Sequence, residues 1–329
     1  MGDRPVQLAI AGAGHMGARH AAAIRTCESA ELVAVWSRTR AHAARLAGEH
    51  GARVAESLSA LVESFDIDAV IVCTPPAHHA EPALAAFRAG KHVIVEKPLA
   101  RSISHGERMI EAADAAGLFL MTAHVARHLP LLRTLHDQVL SGAIGEIAMI
   151  HMSRETATAL SGWRIDPAEG GGVVLHLGIH EFDWLLWTAG PVERVYCRAA
   201  SRVRDAAAAY ALTTLRFRSG AIAEVESSAT KGEGFRISGE LAGDAGLITY
   251  DSDRDVALST DLEPLGRAEY GGLPTSFTRA SPFLEQMEHW MRCLRGQERP
   301  LVKPSEALDA LRVALAALES ARSGQVLPP

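Results

Sequence analysis

The sequence predicts an α/β fold with two domains: an N-terminal doubly wound parallel sheet and a C-terminal α+β domain with an open, mostly antiparallel sheet. Up to about Thr122, short apolar strands alternate with amphipathic helices, the pattern of a parallel sheet covered on both faces. Beyond that residue, hairpin-like strands and longer helices replace the alternation. A chain of 329 residues also suits two domains. The predicted domains are residues 1–123 and 124–329.

The N-terminal strands are short apolar runs, and glycines end several of the helices between them. The predicted strands are Val6–Ala11, Leu32–Trp36, Asp68–Cys73, His92–Glu96 and Leu118–Thr122. The predicted helices are an alanine-rich segment ending near Cys27, then Arg40–His50, His79–Ala89 and Glu107–Ala116. Each of the last three is followed directly by glycine, at Gly51, Gly90 and Gly117.

The C-terminal domain combines helices with strands that pair as hairpins. A turn at Arg218-Ser219-Gly220 predicts one hairpin. The predicted strands are Glu146–Arg154, Val192–Arg202, Tyr210–Phe217, Ala221–Ser228, Phe235–Gly239 and Leu247–Asp251. The predicted helices are Pro130–Leu140, Gly172–Ala189, Phe283–Leu294 and Ser305–Ala321, the last two able to pack back on the first domain. Asp253–Ser281 has mixed polarity and is expected to be loop or edge structure.

The composition of the chain limits which binding partners and which cellular compartment are expected. The formal net charge is -6 and no block of Lys and Arg stands out, so neither nucleic acid nor a membrane surface is an expected partner. The four cysteines are far apart, without a C-x-x-C pair. Scattered thiols suit a reducing compartment. With no signal peptide or long apolar run evident, we expect a cytoplasmic protein.

A glycine-rich turn follows the first strand and opens the first helix. It reads Gly12-Ala13-Gly14-His15-Met16-Gly17, the G-x-G-x-x-G spacing in the strand-turn-helix context that a dinucleotide site requires. Gly12 permits the tight turn, Gly14 lets the backbone approach a pyrophosphate, and Gly17 lets helix and strand pack closely. The helix N-terminus would then face the phosphate charge. The turn therefore predicts binding of NAD or NADP.

The choice between the two cofactors depends on the end of the second strand. An acidic residue there would bond the ribose hydroxyls and repel a 2′-phosphate, but this chain has Ser37 followed by Arg38. A hydroxyl and a guanidinium can hold that phosphate. The sequence thus favours NADP, with NAD as the alternative. Arg38 could instead point into solvent and stack on adenine.

Two strand ends carry further candidates for the same cofactor site. Thr74-Pro75 closes one strand and Glu96-Lys97 closes the next. Ligands of parallel sheets bind at the carboxyl ends of strands. A lysine is costly at a buried strand end unless it is paired or used. Lys97 could bond a substrate oxygen or relay its proton; the alternative is an exposed lysine after an edge strand.

A second cluster lies on the predicted helix after Gly170-Gly171-Gly172. His176 and His180 would share one helix face, with Asp183 on or near it. Three interpretations stay open: a metal site, a general acid/base at His180 beside a substrate contact at His176, or structural histidines. No third metal ligand is evident, so no metal is expected.

These motifs together resemble the Gfo/Idh/MocA family of oxidoreductases, named after glucose-fructose oxidoreductase, inositol dehydrogenase and a rhizopine-catabolism protein. The resemblance covers nearly the whole chain. Its motifs are Gly12–Gly17, Thr74-Pro75 with His79, Ala89–Val93, Glu96-Lys97-Pro98, Ile144-Gly145, Gly170–Gly172, Gly178-x-His180-x-x-Asp183 and Ala317-x-Glu319-Ser320.

The resemblance implies a Rossmann domain and a C-terminal domain whose open sheet often mediates dimers or tetramers. It implies that Lys97 matches the family's catalytic lysine and His180 its active-site histidine, and that the Lys97–Pro98 bond is cis. The implied substrate is a polyol or keto sugar. Many relatives carry Asp where this chain has His176, which puts inositol dehydrogenase activity specifically in question.

The expected reaction moves a hydride between nicotinamide and a secondary alcohol. His180 would take the hydroxyl proton while Lys97 bonds the oxygen. His124, Trp163 and Arg164 are further candidates for the substrate wall, or for structural roles. Two other functions stay open: a glycosidase that oxidises its sugar transiently, and a non-catalytic NAD(P)-binding sensor.

Overall fold

The computed structural model describes residues 4–63, 66–157, 160–201, 207–230, 234–254, 258–261 and 281–329. The chain divides into two compact units, one formed by Met1–His128 with Ala280–Leu308 and the other by Leu129–Arg279 with Asp309–Pro329. Each unit has one sheet, parallel in the first and mostly antiparallel in the second. The predicted α/β class is therefore confirmed.

The strands are numbered in chain order. They are β1 (Val6–Ala11), β2 (Ala30–Trp36), β3 (Arg53–Val54), β4 (Ala69–Val72), β5 (His92–Glu96), β6 (Leu120–Ala123), β7 (Ile147–Thr156), β8 (Val192–Ala200), β9 (Tyr210–Phe217), β10 (Ile222–Ser228), β11 (Phe235–Gly243), β12 (Gly246–Asp251) and β13 (Leu258–Asp261). The α-helices are α1 (His15–Thr26), α2 (Arg40–His50), α3 (Leu58–Val62), α4 (Ala80–Arg88), α5 (Ile103–Ala116), α6 (Pro130–Leu140), α7 (Ile179–Ala189), α8 (Pro282–Leu294) and α9 (Pro304–Ser323).

The first unit is organised around a six-stranded parallel sheet with the order β3-β2-β1-β4-β5-β6. The direction of strand succession reverses between β1 and β4, so these two neighbours form the switch point where such sheets bind ligands. All four residues of β4 are buried, as expected of a strand covered on both faces. Met287 and Trp290 bring α8 into the same hydrophobic core.

The second unit contains a seven-stranded sheet with the order β13-β12-β11-β7-β10-β9-β8. Its pairs are antiparallel except for β7 with β10. The predicted hairpin of β9 and β10 is confirmed. In α7, Trp184 is fully buried and donates a hydrogen bond from Nε1 to the Leu132 carbonyl oxygen at 2.9 Å, which fixes that helix against α6.

Several elements differ from the sequence prediction. The short β3 and α3 were not predicted, and β11 continues to Gly243, beyond the predicted end at Gly239. The predicted helix Gly172–Ala189 contains a π-helical segment, Val174–Gly178, before α7. The segment Asp253–Ser281, expected to be loop or edge, includes the edge strand β13; its residues 255–257 and 262–280 lie outside the described residues.

In the described part of the chain, no helix combines the length and the apolar character needed to cross a membrane.

Candidate active site

The glycine-rich turn has the geometry that a bound pyrophosphate requires. Gly12 has φ +113, and a Cβ there would lie 2.6 Å from the Cys73 carbonyl carbon, so only glycine fits between β1 and the end of β4. A Cβ on Gly17 would collide with the Gly12 carbonyl oxygen. A Cβ on Gly14 meets nothing within 4 Å. The turn is therefore tight on its inner side and open at Gly14.

The open side of this turn suits an anion. Gly14 is the N-cap of α1, whose first turn has neither an acidic residue nor a side-chain cap. His15 is exposed and Met16 half-buried in that turn. Backbone N–H groups at such a helix start, together with the helix dipole, attract phosphate. These residues therefore fit a dinucleotide.

The end of β2 borders a cavity of about 380 Å³. Half-buried Ser37 and exposed Arg38 line it, together with Arg40, Ser57 and Glu56. Arg38 Nη1 lies 3.5 Å from His78 Nε2, and Arg40 lies 3.9 Å from the Glu56 carboxylate. The cavity thus offers two guanidinium groups and two hydroxyls against a single carboxylate.

The predicted residues at the ends of β4 and β5 come together because these strands are neighbours. Thr74 and Pro75 are half-buried after β4, and Lys97 is half-buried after β5. The Lys97–Pro98 peptide bond is cis, as the resemblance implies. Glu96, the last residue of β5, is only 5% exposed.

Two buried histidines surround this strand end. Nε2 of His20, on α1, lies 2.7 Å from Oε1 of Glu96, and Oε2 of Glu96 accepts the Lys97 backbone N–H at 3.1 Å. His79 is fully buried with both ring nitrogens near carbonyl oxygens. His20 was not predicted as a site residue, although a carboxylate at the end of an apolar strand signals a buried partner.

The ionisable groups at the ends of β4 and β5 shift one another's pKa values. Burial works to raise the pKa of Glu96, but the hydrogen bond from His20 and the positive charges nearby leave that pKa below its ordinary value. Burial and the Glu96 charge together raise the pKa of the Cys73 thiol well above its ordinary value. Glu96 is therefore a carboxylate at neutral pH, whereas Cys73 is a thiol and not a nucleophile.

In the second unit, the predicted histidine cluster lies on a π-helical segment and the helix that follows it. His176 is half-buried within Val174–Gly178, and His180 is 9% exposed in the first turn of α7. Gly178 permits this arrangement, because a Cβ there would lie 3.0 Å from Ser227 Oγ on β10. Short π-helical segments occur frequently at functional sites.

A buried ion pair beside His180 anchors α7 to the sheet. Nε of Arg154, on β7, donates to Oε1 of Glu181 at 2.7 Å, its Nη2 lies 2.7 Å from the same oxygen as an ion pair, and both side chains are almost fully buried. Burial and the Glu181 charge raise the pKa of Tyr250 nearby. Removing one partner of such a pair typically costs about 3–5 kcal/mol. This pair was not predicted from the sequence.

The other candidates are spread over both units. Asp183 is fully buried on α7. The Arg164 guanidinium lies 4.7 Å from the Trp163 ring centre, both side chains are half-buried, and burial lowers the pKa of Arg164. His124 is fully buried just after β6 in the first unit. Among the described residues, no three His, Cys, Asp or Glu side chains are grouped so as to hold a metal ion.

A switch-point glycine turn, a helix start open to phosphate and a following α+β unit define an NAD(P)-binding Rossmann oxidoreductase. The chain belongs to the Gfo/Idh/MocA family. Residues 6–124 match the family described as "Oxidoreductase family, NAD-binding Rossmann fold", and residues 132–249 match the "GFO/IDH/MocA C-terminal domain". The resemblance inferred from the motifs is therefore confirmed, and the protein is an enzyme of this oxidoreductase family.

Several similar proteins are named as enzymes of sugars and cyclitols. The chain is 29% identical to a 1,5-anhydro-D-fructose reductase of Ensifer adhaerens, over 90% of each chain. It is 27% identical to a scyllo-inositol 2-dehydrogenase (NAD(+)) of Bacillus subtilis, over 98% of this chain and 96% of the relative. The crystal structure of the WlbA dehydrogenase from Bordetella pertussis, in complex with NADH and UDP-GlcNAcA, is similar with a TM-score of 0.90 at 25% identity and covers 100% of this chain and 99% of that one.

Proposed function

We propose that this enzyme transfers a hydride between a nicotinamide cofactor and a secondary alcohol or ketone of a sugar, a cyclitol or a related polyol. The observation that carries the proposal is the half-buried Lys97 at the carboxyl end of β5, one strand from the switch point beside the open glycine turn. The named activities of the relatives support the substrate class.

The chain's own residues have separate roles in this proposal. When bound, the nicotinamide ring accepts or supplies the hydride. Lys97 bonds the substrate oxygen and orients the carbon that reacts. His180 takes the hydroxyl proton during oxidation and returns it during reduction. His176 contributes to substrate choice.

Other residues of the chain contact the dinucleotide and the rest of the substrate in this proposal. Main-chain donors at Gly14, His15, Met16 and Gly17 hold the pyrophosphate. The nicotinamide part of the site is bordered by residues at the ends of β4 and β5: Thr74, Pro75, His79, Glu96 and Lys97. The substrate wall includes Asp183, Trp163, Arg164 and His124.

For the cofactor, we propose a preference for NADP over NAD. Ser37 and Arg38 offer a hydroxyl and a guanidinium where an acidic residue would repel a 2′-phosphate, and Arg40 adds a second positive charge to the same cavity. Glu56 opposes this preference only in part, because it lies within ion-pair distance of Arg40.

We also propose a cytoplasmic homodimer or homotetramer. Free thiols at all four cysteines fit a reducing compartment. Met149 and Ile222 are register partners on β7 and β10 and are both exposed, so they form an apolar spot on the sheet of the second unit. An Ile222→Glu variant that stays in the wild-type assembly by light scattering would show that this spot is not the interface.

The activity test is a substrate screen read by nicotinamide absorbance. Myo-inositol, scyllo-inositol and 1,5-anhydro-D-fructose are each tested with oxidised and reduced forms of both cofactors. We expect substrate-dependent interconversion of the cofactor, faster with NADP(H). Cleavage of a nitrophenyl glycoside without net cofactor reduction would indicate a glycosidase instead. Cofactor binding with neither reaction would indicate a sensor.

A further inference from the structure

Two buried histidines hold the main chain on either side of Lys97. His20 acts on the residue before it and His79 on the two residues after it. We propose that His20 and His79 are positioning residues that together fix the main chain at Lys97, from which the lysine side chain extends. This inference rests on the proposed role of Lys97 in the reaction.

His20 connects the dinucleotide-binding helix α1 with the end of β5. Its Nε2 lies 2.7 Å from Oε1 of Glu96, and Oε2 of the same carboxylate accepts the Lys97 backbone N–H at 3.1 Å. The Glu96 carboxylate thus bridges an imidazole and the main chain of Lys97. Because His20 and Glu96 are 0% and 5% exposed, water does not compete for these bonds.

The surroundings of His20 determine its proton position and its orientation. Its Nδ1 has no hydrogen-bond partner among the described residues, so a proton on Nε2 is donated to Glu96 and no buried N–H is left without an acceptor. Two aromatic rings of the α8 segment flank the imidazole: Phe283 edge-on at 6.1 Å and Trp290 at 5.6 Å between ring centres. These rings help to bury the imidazole, whereas its contact with Glu96 sets its orientation.

His79 connects the end of β4 with the segment after Lys97. Its Nε2 lies 2.8 Å from the Thr74 carbonyl oxygen, and its Nδ1 lies 3.0 Å from the Pro98 and 3.3 Å from the Leu99 carbonyl oxygens. Carbonyl oxygens only accept, so the ring nitrogen that carries the proton donates to the carbonyl oxygen it faces. Burial lowers the pKa of His79, while these contacts and the Glu96 charge act against that shift.

Lys97 is thus held from two directions through its neighbours. The titratable groups that interact electrostatically with the Glu96 carboxylate are His20, His79, Lys97 and Cys73. Neither histidine needs to touch substrate for this purpose. A misplacement of about 1 Å can lower turnover roughly 100-fold, so loosening either contact should lower kcat more than it raises KM for the cofactor.

The test compares amide hydrogen exchange at Lys97 in the full-length wild type and its variants, without ligand. His20→Asn keeps a polar side chain that is too short to reach Glu96, whereas His20→Gln places an amide N–H near the original Nε2. We expect Lys97 exchange to accelerate roughly tenfold or more in His20→Asn and in His79→Leu. His20→Gln should stay close to the wild type.

Two controls separate positioning from general loosening. Exchange in β1 should be unchanged in every variant, because this strand contains neither histidine. Phe283→Leu removes a ring that packs on His20 but keeps its hydrogen bond, so Lys97 exchange should stay at the wild-type level. Equal acceleration in Phe283→Leu, or no rescue in His20→Gln, would overturn the positioning role of His20.

Kinetics distinguish this inference from the proposed function. If Lys97→Ala keeps wild-type turnover in the substrate screen, the role of Lys97 is wrong, whatever the exchange data show. If Lys97 exchange is unchanged in both His20→Asn and His79→Leu, the positioning inference is wrong even where Lys97 is essential. Combining His20→Asn with Lys97→Ala should cause no further loss of kcat beyond that of Lys97→Ala alone.

Discussion

Gly14→Ala should separate cofactor binding from folding. Gly14 has φ -86 and ψ -163, which any residue adopts, and a Cβ there meets no atom within 4 Å. Loss of glycine's freedom in the unfolded chain stabilises by about 0.4–1 kcal/mol. Alanine is a poorer N-cap than glycine, with a penalty of about 0.5 kcal/mol or more. These effects nearly cancel, so the melting temperature should change little.

The effect on binding is much larger. The new methyl group would occupy the space through which a pyrophosphate approaches the first-turn N–H groups of α1. Losing one hydrogen bond to a charged group costs about 1.5–3 kcal/mol. Since about 1.4 kcal/mol corresponds to a factor of ten in Kd, the affinity for the dinucleotide should fall at least roughly tenfold.

The assay is a fluorescence titration with NADH and NADPH, together with a thermal melt. Gly48→Ala is the matched control, because this glycine is exposed in α2 and a Cβ there also meets nothing within 4 Å. Its Kd should equal that of the wild type, with somewhat higher stability. Wild-type affinity in Gly14→Ala would refute the placement of the pyrophosphate at this turn.

Three further predictions concern the cofactor and the histidines. Arg38→Ala should weaken NADPH roughly tenfold or more and NADH little, measured by calorimetry; equal losses would show that Arg38 does not read the phosphate. In the oxidation direction, activity should fall as the pH drops, because the base must be neutral, and His180→Ala should remove this acidic limb; an unchanged profile would move the proton-transfer role to Lys97. Dialysis against a chelator should leave turnover intact, whereas loss restored by zinc would favour a metal site at His176 and His180.

Much of the first unit could be predicted from apolar runs and glycine stops. The bounds of β1, α2 and β5 match the prediction residue for residue, because each is a short segment with clear punctuation. The two-residue β3 and five-residue α3 were missed, since neither is long enough to show a hydrophobic period.

Glycines inside a strand misled the prediction of β11. Gly239 was read as the end of the strand, because glycine disfavours strand interiors. In the structure, a Cβ at Gly239 would collide with the His151 carbonyl oxygen of the neighbouring strand, and one at Gly243 with the Ile144 carbonyl oxygen. These glycines are therefore required by close backbone approach, which depends on the sheet and not on local sequence.

In the candidate site, too, local motifs could be predicted from the sequence, whereas contacts between distant residues could not. The glycine turn, Lys97 and His180 could be proposed from the sequence because they belong to local motifs. The pair of His20 and Glu96 joins residues 76 positions apart, and it forms only once α1 lies against the parallel sheet. The π-helical turn at His176 was equally invisible, because an apolar segment buried on all sides has no period that distinguishes π from α geometry.

The most direct test of the central claim is the turnover of Lys97→Ala with the best substrate of the screen, followed by nicotinamide absorbance. Lys91→Ala is the matched control, since this half-buried lysine comes directly before β5. Hydride transfer assisted by Lys97 predicts a loss of kcat of roughly 100-fold or more with dinucleotide affinity largely retained, and wild-type turnover for Lys91→Ala. Near wild-type turnover in Lys97→Ala would contradict the proposal.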